Sequence, residues 1–396
     1  MEKAEKYFIM EDGERLVSLR KELHRHPEIG FELKETVQIV ERELSCLGLS
    51  YTERYAPGSV VAEFGPENAG LTLALRADMD ALPIEEQSED DCRSENPGCM
   101  HACGHDAHTA MLLTAARALR RAEAAGELHC RVRLLFQPNE EGSGSGAAVM
   151  VGNGVMDGVD FVFGQHVDPF FETGTIAFCD GPMEAGCRSY NVTFHGKSTH
   201  ATEPTDGADP LAMAVRAYEG IYLMKCRMIG PFEDHIVSVS ALHAGSAHNI
   251  IPDLASMKIS VRSYDAALDR RIREKIEEIC GNSAREFGGS VEVSCDAGLP
   301  PVVMTKEMND EGRKAAALIV GADKLRIAEK CMGSEDFSYY LTKCPGIFSL
   351  LGIRNEEKGY TEQLHNCRFH VDDDALLTGA VYLAQLVLNY SNQGGK

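Results

Sequence analysis

The sequence predicts an α/β protein in which a larger α/β domain with a mostly parallel sheet is interrupted by an inserted βαββαβ module of ferredoxin-like order. Three observations predict it. Short apolar, β-branched runs alternate with longer segments of helical period, as strands and their covering helices do in parallel sheets. Between residues 185 and 298 the texture becomes strand, helix, two strands, helix, strand. Beyond residue 298 helix and strand alternate again, so the module reads as an insertion. A chain of 396 residues has room for two to three domains at roughly 150 residues each. The expected segments are 1–184, 185–298 and 299–396, with the first and last forming one domain.

The strand candidates of the larger domain are residues 71–77, 132–136, 159–164 and 346–353. The first three run directly into polar residues: Asp78 and Asp80, then Glu140 and Glu141, then His166. Open α/β sheets bind ligands at the carboxyl ends of their strands, so these groups are placed to converge in one crevice. Residues 109–121 form a helix-period run. In the insertion, strands are expected at 190–195, 236–243, 255–263 and 290–296, and helices at 210–224 and 268–287. The acid-rich stretch 85–95 reads as a solvated loop.

Composition excludes several function classes. Hydrophobic residues at 44% and charged residues at 25% match an ordinary globular protein. No apolar run approaches the ~20 residues that span a bilayer. Lys plus Arg (39) against Asp plus Glu (61) leaves −22, which repels polyanions and argues against nucleic-acid binding. An anionic small substrate would need a local positive group. The thirteen cysteines are an odd number scattered from Cys46 to Cys367 without a CxxC pair, a usage that suggests reduced thiols and a cytoplasmic location. The opening MEKAEKYFIMEDGERL carries acids where a secretory signal has its apolar core, so secretion is not expected.

The densest chemical cluster is Met100-His101-Ala102-Cys103-Gly104-His105-Asp106-Ala107-His108. Cysteine and histidine two apart can reach one metal centre, and thiolate with imidazole suits zinc or another borderline divalent ion. The same residues also suit a helix N-terminus that is merely rich in histidine. Phe136-Gln137-Pro138-Asn139-Glu140-Glu141-Gly142 shifts the balance. Adjacent side chains on an extended segment point different ways, so one glutamate can bind a metal while its neighbour faces the attacking water. A glutamate pair standing alone would be ordinary surface. After a buried strand and before a glycine-rich loop it reads as a ligand and a base. His166 and His365 supply further candidate ligands, although either histidine alone would read as structural.

The motifs RADMDALPIEE, MHACGHDAHTAML, FQPNEEG, GQHVDP, HGKSTHATEP, GSAHNIIPD, GSEDFSYYL and LHNCRF occur in that order. Together they resemble the dinuclear metal amidohydrolases that include hippurate hydrolase, indole-acetyl-amino-acid hydrolase and bacterial N-acyl-amino-acid deacylases. The resemblance runs from LHRHPEIGFEL to His365, nearly the whole chain. It implies a zinc-peptidase-like catalytic domain with an inserted lid that commonly mediates dimerisation, hence a homodimer. It implies two divalent ions per subunit, zinc or manganese, with cobalt or nickel as further candidates. Carried over residue by residue, it makes Cys103 the bridging ligand and His105, Glu141, His166 and His365 the others, with Glu140 the general base. In related peptidases an HxD motif follows the early strand with its histidine as a ligand. Here Asp78 occupies that position, which makes His105 the replacement ligand and leaves Asp80 to orient the ligand set. His200 resembles the histidine that stabilises the oxyanion, often in the partner's site, and Asn249 and Arg262 resemble the groups that hold the substrate carboxylate. Arg262 would then be the required positive group. His24, His26, His195 and His248 read as structural, and residues 333–336 as an active-site floor loop.

The implied activity is hydrolysis of the amide bond of an N-acyl amino acid, a small-molecule substrate. Two alternatives stay open: a dipeptidase or carboxypeptidase on the same scaffold, and a non-catalytic metal-binding dimer.

Overall fold

The computed structural model describes residues 3–88 and 91–392. The chain divides into two compact units, one of Met1–Met183, Val303–Glu329 and Asp336–Lys396, the other of Glu184–Val302 and Lys330–Glu335. In chain order, the first unit opens with α1 (Met10–Arg25), α2 (Lys34–Cys46), β1 (Tyr51–Thr52), β2 (Val60–Phe64) and β3 (Thr72–Asp78). It continues through α3 (His105–Ala124), β4 (Arg131–Gln137), α4 (Gly146–Gly152), β5 (Phe161–Glu172) and β6 (Ile176–Phe178). The chain crosses at β7 (Gly181–Glu184) into β8 (Gly186–His195), β9 (Thr199–His200), α5 (Pro210–Arg227), β10 (His235–Ala244), β11 (Ile250–Ile251), β12 (Leu254–Ser263), α6 (Ala266–Glu286) and β13 (Ser290–Cys295). It returns at β14 (Val302–Met304) to α7 (Lys306–Val320), β15 (Leu325–Ile327), α8 (Ser338–Leu341), β16 (Gly346–Arg354) and α9 (Asp373–Ser391).

The first unit is built on an eight-stranded sheet in the order β1-β2-β4-β3-β5-β16-β6-β15. Its centre is parallel: β4, β3, β5 and β16 run together. β3 is buried on both faces apart from its first residue, as a strand covered by helices must be. The expected mostly parallel sheet is in fact mixed, because β2 runs antiparallel to β4 and β6 antiparallel to β16. Only residues 65–71 separate β2 from β3, and only 173–175 separate β5 from β6. Links this short cannot hold the crossover of a dozen or more residues that a parallel return needs.

The apolar side chains of α3 pack with those of α1 and α9 in the main core. Gly104 ends the loop before α3 at φ +86°, and a Cβ there would stand 2.4 Å from Val167 Cγ2. Glycine is therefore required at the residue that lets this loop pass close under β5. A buried ion cluster fastens the rear of the same loop: His24 Nδ1 lies 2.7 Å from Asp106 Oδ2, and Arg20 is 3.7 Å from the same oxygen and 2.8 Å from Asp373. Burial opposes charge on His24, but the Asp106 carboxylate outweighs it and holds the imidazole up near 9. The reading of 85–95 as a solvated loop is corrected in part. Glu86, Ser88 and Cys92 are buried, with the Glu86 carboxylate accepting from the Ser94 backbone N–H at 2.7 Å. Glu89 and Asp90 of that stretch lie outside the described residues.

In the second unit a four-stranded antiparallel sheet runs β10-β12-β8-β13, with His200 paired to Ile250 in a separate short ribbon. Along β12, buried residues alternate with exposed or half-buried ones, the period of a sheet packed on one face only. That face meets α5 and α6. Each helix starts on an aspartate whose side chain accepts from the first-turn N–H groups, Asp209 for α5 and Asp265 for α6.

Candidate active site

β3 and β5 lie side by side and parallel, but the chain leaves β3 toward β4 and leaves β5 toward β6, on the other side. That reversal opens a crevice at their carboxyl ends. The register shows where it opens: β3 accompanies β5 from Phe161 to Gly164, pairing Arg76 with Gly164, and β5 then continues to Glu172 beside β16 alone. Expected to end at residue 164, β5 instead carries His166 within the strand, on the stretch that β3 has left.

The crevice collects the predicted residues of the first unit. Asp80, just past β3, is buried, and its two carboxylate oxygens accept the backbone N–H groups of Glu140 (2.9 Å) and Glu141 (3.1 Å). Asn139 just before the pair takes a left-handed φ of 51°. Asp80 thus orients the glutamate pair through the backbone. Its own carbonyl accepts from His105 Nδ1 at 2.8 Å, which leaves His105 Nε2 buried and, among the described residues, without a hydrogen-bond partner. His166 Nδ1 donates to the Val167 carbonyl at 2.6 Å, so its Nε2 points elsewhere, 3.5 Å from Cys103 Sγ. His365 sits at φ 65° with its N–H bonded to the Ala102 carbonyl, and its Nε2 is 3.1 Å from Glu141 Oε1.

Donor atoms within 4.8 Å of one another form two sets that meet at one sulfur: Cys103, His105 and His166, and Cys103, Glu141 and His365. Glu140 is in neither, yet a carboxylate oxygen of it lies that close to donors of His105 and Glu141. The electrostatics suit a cation. Burial pulls His105 down, but Asp78, Asp80 and Glu141 together hold it up near 10. Burial and then the two glutamates push the Cys103 thiol well above its ordinary value. The His105 shift, and the glutamates' share of the Cys103 shift, describe anionic surroundings that favour positive charge at the donor atoms, and a divalent ion there would displace the protons. An imidazole nitrogen with no hydrogen-bond partner among the described residues, a thiol, a carboxylate and two further imidazoles are donor types that hold divalent ions; the residues fit a two-metal site.

His108 also lies near this set, grouped with Asp78 and His105, but both its ring nitrogens are engaged. Nδ1 is 2.6 Å from Asp78 Oδ1, and Nε2 accepts the Val167 N–H at 2.9 Å. Burial keeps it neutral, down near 4 despite the pull of Asp78. Sequence reasoning set this histidine in the histidine-rich motif and Asp336 in a floor loop but gave neither a specific role, and it gave none to the buried Arg76 and Gln137. Arg76 donates to Gln137 (2.8 Å), Asp78 (2.7 Å) and Asp336 (2.9 Å). Of the expected floor loop 333–336, Asp336 belongs to this network, while residues 333–335 belong to the second unit. The available signal was an arginine inside an otherwise apolar strand, since a charge fully buried there requires partners.

His200, Asn249 and Arg262 all fall in the second unit. The backbone N–H of Ala201 bonds to the Asn249 carbonyl at 3.1 Å, setting His200 beside Asn249. Both are exposed. His200 Nδ1 accepts from the Thr202 backbone N–H at 3.2 Å, so the neutral ring carries its proton on Nε2. Arg262 on β12 donates to the Met332 carbonyl at 2.8 Å.

The family model described as peptidase family M20/M25/M40 matches residues 74–389. Thermostable carboxypeptidase 2 of Saccharolobus solfataricus is 36% identical over 383 residues, 96% of each chain. An N-acetylcysteine deacetylase of Bacillus subtilis is 33% identical over 375 residues, 94% of this chain and 96% of the relative. The crystal structure of a Bacillus subtilis dinuclear metal-binding peptidase of the M20 family superposes with a TM-score of 0.83 at 31% identity, covering 97% of this chain and 99% of that one.

Proposed function

The chain belongs to peptidase family M20/M25/M40, and on that premise we propose that it hydrolyses the amide bond of N-acyl amino acids, releasing a carboxylic acid and a free amino acid. The observation that carries the proposal is the pair of donor sets sharing Cys103, with Glu140 beside them and in neither. Two divalent ions, held by Cys103, His105 and His166 and by Cys103, Glu141 and His365, would polarise the scissile carbonyl and acidify the attacking water. Zinc or manganese suits this mixed donor set, with cobalt or nickel as substitutes. Glu140 takes the proton of the attacking water and returns it to the departing amino nitrogen. Asp80 keeps Glu140 and Glu141 in separate roles by fixing both backbones. In the second unit, His200 carries its proton on Nε2, the form able to donate to a developing oxyanion. Asn249 and the Arg262 guanidinium would hold the substrate carboxylate.

Hydrolysis of N-acetyl, N-benzoyl and longer N-acyl amino acids with zinc, manganese or cobalt present tests this reading. Arg262→Ala should raise KM for the best substrate by ~10–150-fold, the loss of one charge-assisted pair. It should change KM little for the same substrate with its carboxylate amidated. Cleavage only of peptides with a free α-amino group would favour the carboxypeptidase or dipeptidase reading, which the similarity to a carboxypeptidase keeps in view.

A homodimer formed through the second unit is part of the proposal. Leu211, Val215 and Tyr218 project from α5 at helical spacing and are 41%, 45% and 40% exposed, an apolar stripe suited to an identical stripe on a partner. A solution mass of one chain by light scattering would overturn it. A cytoplasmic location agrees with thirteen free thiols. No helix among the described residues is long and apolar enough to cross a membrane.

A further inference from the structure

Beyond the Arg76–Gly164 pair β5 goes on with no further ladder partner in β3, so among the described residues the Val167 N–H meets no strand carbonyl there. An unpaired backbone donor in a buried place costs free energy comparable to a lost hydrogen bond. His108 fills the gap from α3: its Nε2 accepts the Val167 N–H at 2.9 Å. Because a backbone N–H can only donate, this bond fixes the His108 tautomer, with the proton on Nδ1. That proton goes to Asp78 Oδ1 at 2.6 Å, while Asp78 Oδ2 accepts from Arg76 at 2.7 Å. Arg76 in turn donates to Asp336 at 2.9 Å. The His108 ring also stands edge-on to His166, with centroids 4.5 Å apart. Val167, whose N–H it accepts, also carries the carbonyl that accepts from His166 Nδ1, in the next peptide group along.

We propose that the chain Arg76–Asp78–His108–Val167 positions the His166 imidazole, fixing its tautomer and ring direction so that Nε2 faces Cys103. His108 is thus a positioning residue that acts through the backbone of Val167, and Asp78, held by Arg76, accepts the hydrogen bond of the Nδ1 proton and so holds the ring in place. The directionality of the chain makes a definite demand. The acceptor on the Val167 side is the essential feature, and the bond to Asp78 serves to hold that acceptor in place.

The proposal rests on the two-metal reading of the site, so the test reads metal binding rather than turnover. Purified, metal-free protein is titrated with cobalt(II) and followed at the thiolate-to-cobalt charge-transfer band, with folding checked by thermal denaturation. Asn at position 108 places an amide where Nδ1 stood, whereas Gln places one where Nε2 stood. His108→Asn should therefore weaken one of the two cobalt sites by ~10–100-fold, the usual loss when the partner of a ligand is removed. His108→Gln, which can still accept from Val167, should restore that site toward the native affinity. Should His108→Asn fail to fold, Asp78→Ala, which removes the acceptor of the His108 Nδ1 proton, must show a loss at the same site. Native affinity at both sites in His108→Asn, or equal losses in the Asn and Gln variants, would overturn the relay. No cobalt bound by the unaltered protein would instead overturn the two-metal reading, and the relay with it.

Discussion

Glu140→Gln is expected to keep two divalent ions bound and to lower kcat by ~10²–10⁴-fold, the range for a positioned general acid–base group. The substitution keeps the length and shape of the side chain and the backbone N–H that donates to Asp80, so the loop should not move. It removes only the ability to take and return a proton. Glu141→Gln should behave differently. Glu141 is one of the donors that meet Cys103 and His365, and an amide oxygen is a poorer ligand than a carboxylate, so metal content should fall along with rate. Metal analysis of both variants beside their kcat values separates the roles. Full metal content in Glu141→Gln with depleted metal in Glu140→Gln would require the two to be exchanged.

Much of this site was legible in the sequence because strand ends announce themselves. Apolar runs that lead into Asp78, Glu140 and His166 belong to strands whose side chains must be buried up to the crevice and reactive within it, and hydrophobic period reports the approach to such a boundary. The βαββαβ order of the second unit was legible for the same reason, with one-sided strands separated by helices with aspartate caps. The antiparallel flanks of the larger sheet were not. Short segments such as β1 and β6 are too brief to show a period, and their direction follows from link lengths that matter only once the neighbours are known. The buried network around Arg76 was also hidden: its members are scattered from Arg76 to Asp336, and no local pattern relates them. His108 was visible within a histidine-rich motif, but its role depends on where β3 stops relative to β5, a matter of register that sequence period leaves open.

Arg76→Met should destabilise the metal-free protein by ~3–5 kcal/mol, the cost of removing one partner from a buried ion pair. Arg76 stands between Asp78 and Asp336, with all three side chains at most 2% exposed. Methionine fills much of the volume, so the loss would come mainly from two carboxylates left without their cation. At roughly 2–4 °C per kcal/mol for a domain of this size, the thermal midpoint should fall by about 6–20 °C. The pH dependence gives the sign of the cause. Burial alone would raise the Asp78 carboxyl, but Arg76, with His105 and His108, holds it well below the usual 3.8. In the unaltered protein Asp78 therefore adds stability above that value, which is lost as pH falls toward the lowered folded-state value. Without Arg76, burial weighs more heavily and the Asp78 pKa moves up, so the deficit of the variant should be largest near neutral pH and narrow as the medium is acidified below about 4. Adding Asp78→Asn and Asp336→Asn to Arg76→Met removes both orphaned charges while leaving groups that still accept from His108, Gln137 and Ser145. The triple variant should regain most of the lost midpoint, because a buried pair replaced as a whole costs far less than one broken. A triple variant no more stable than Arg76→Met would assign the loss to packing around the missing guanidinium rather than to the carboxylates.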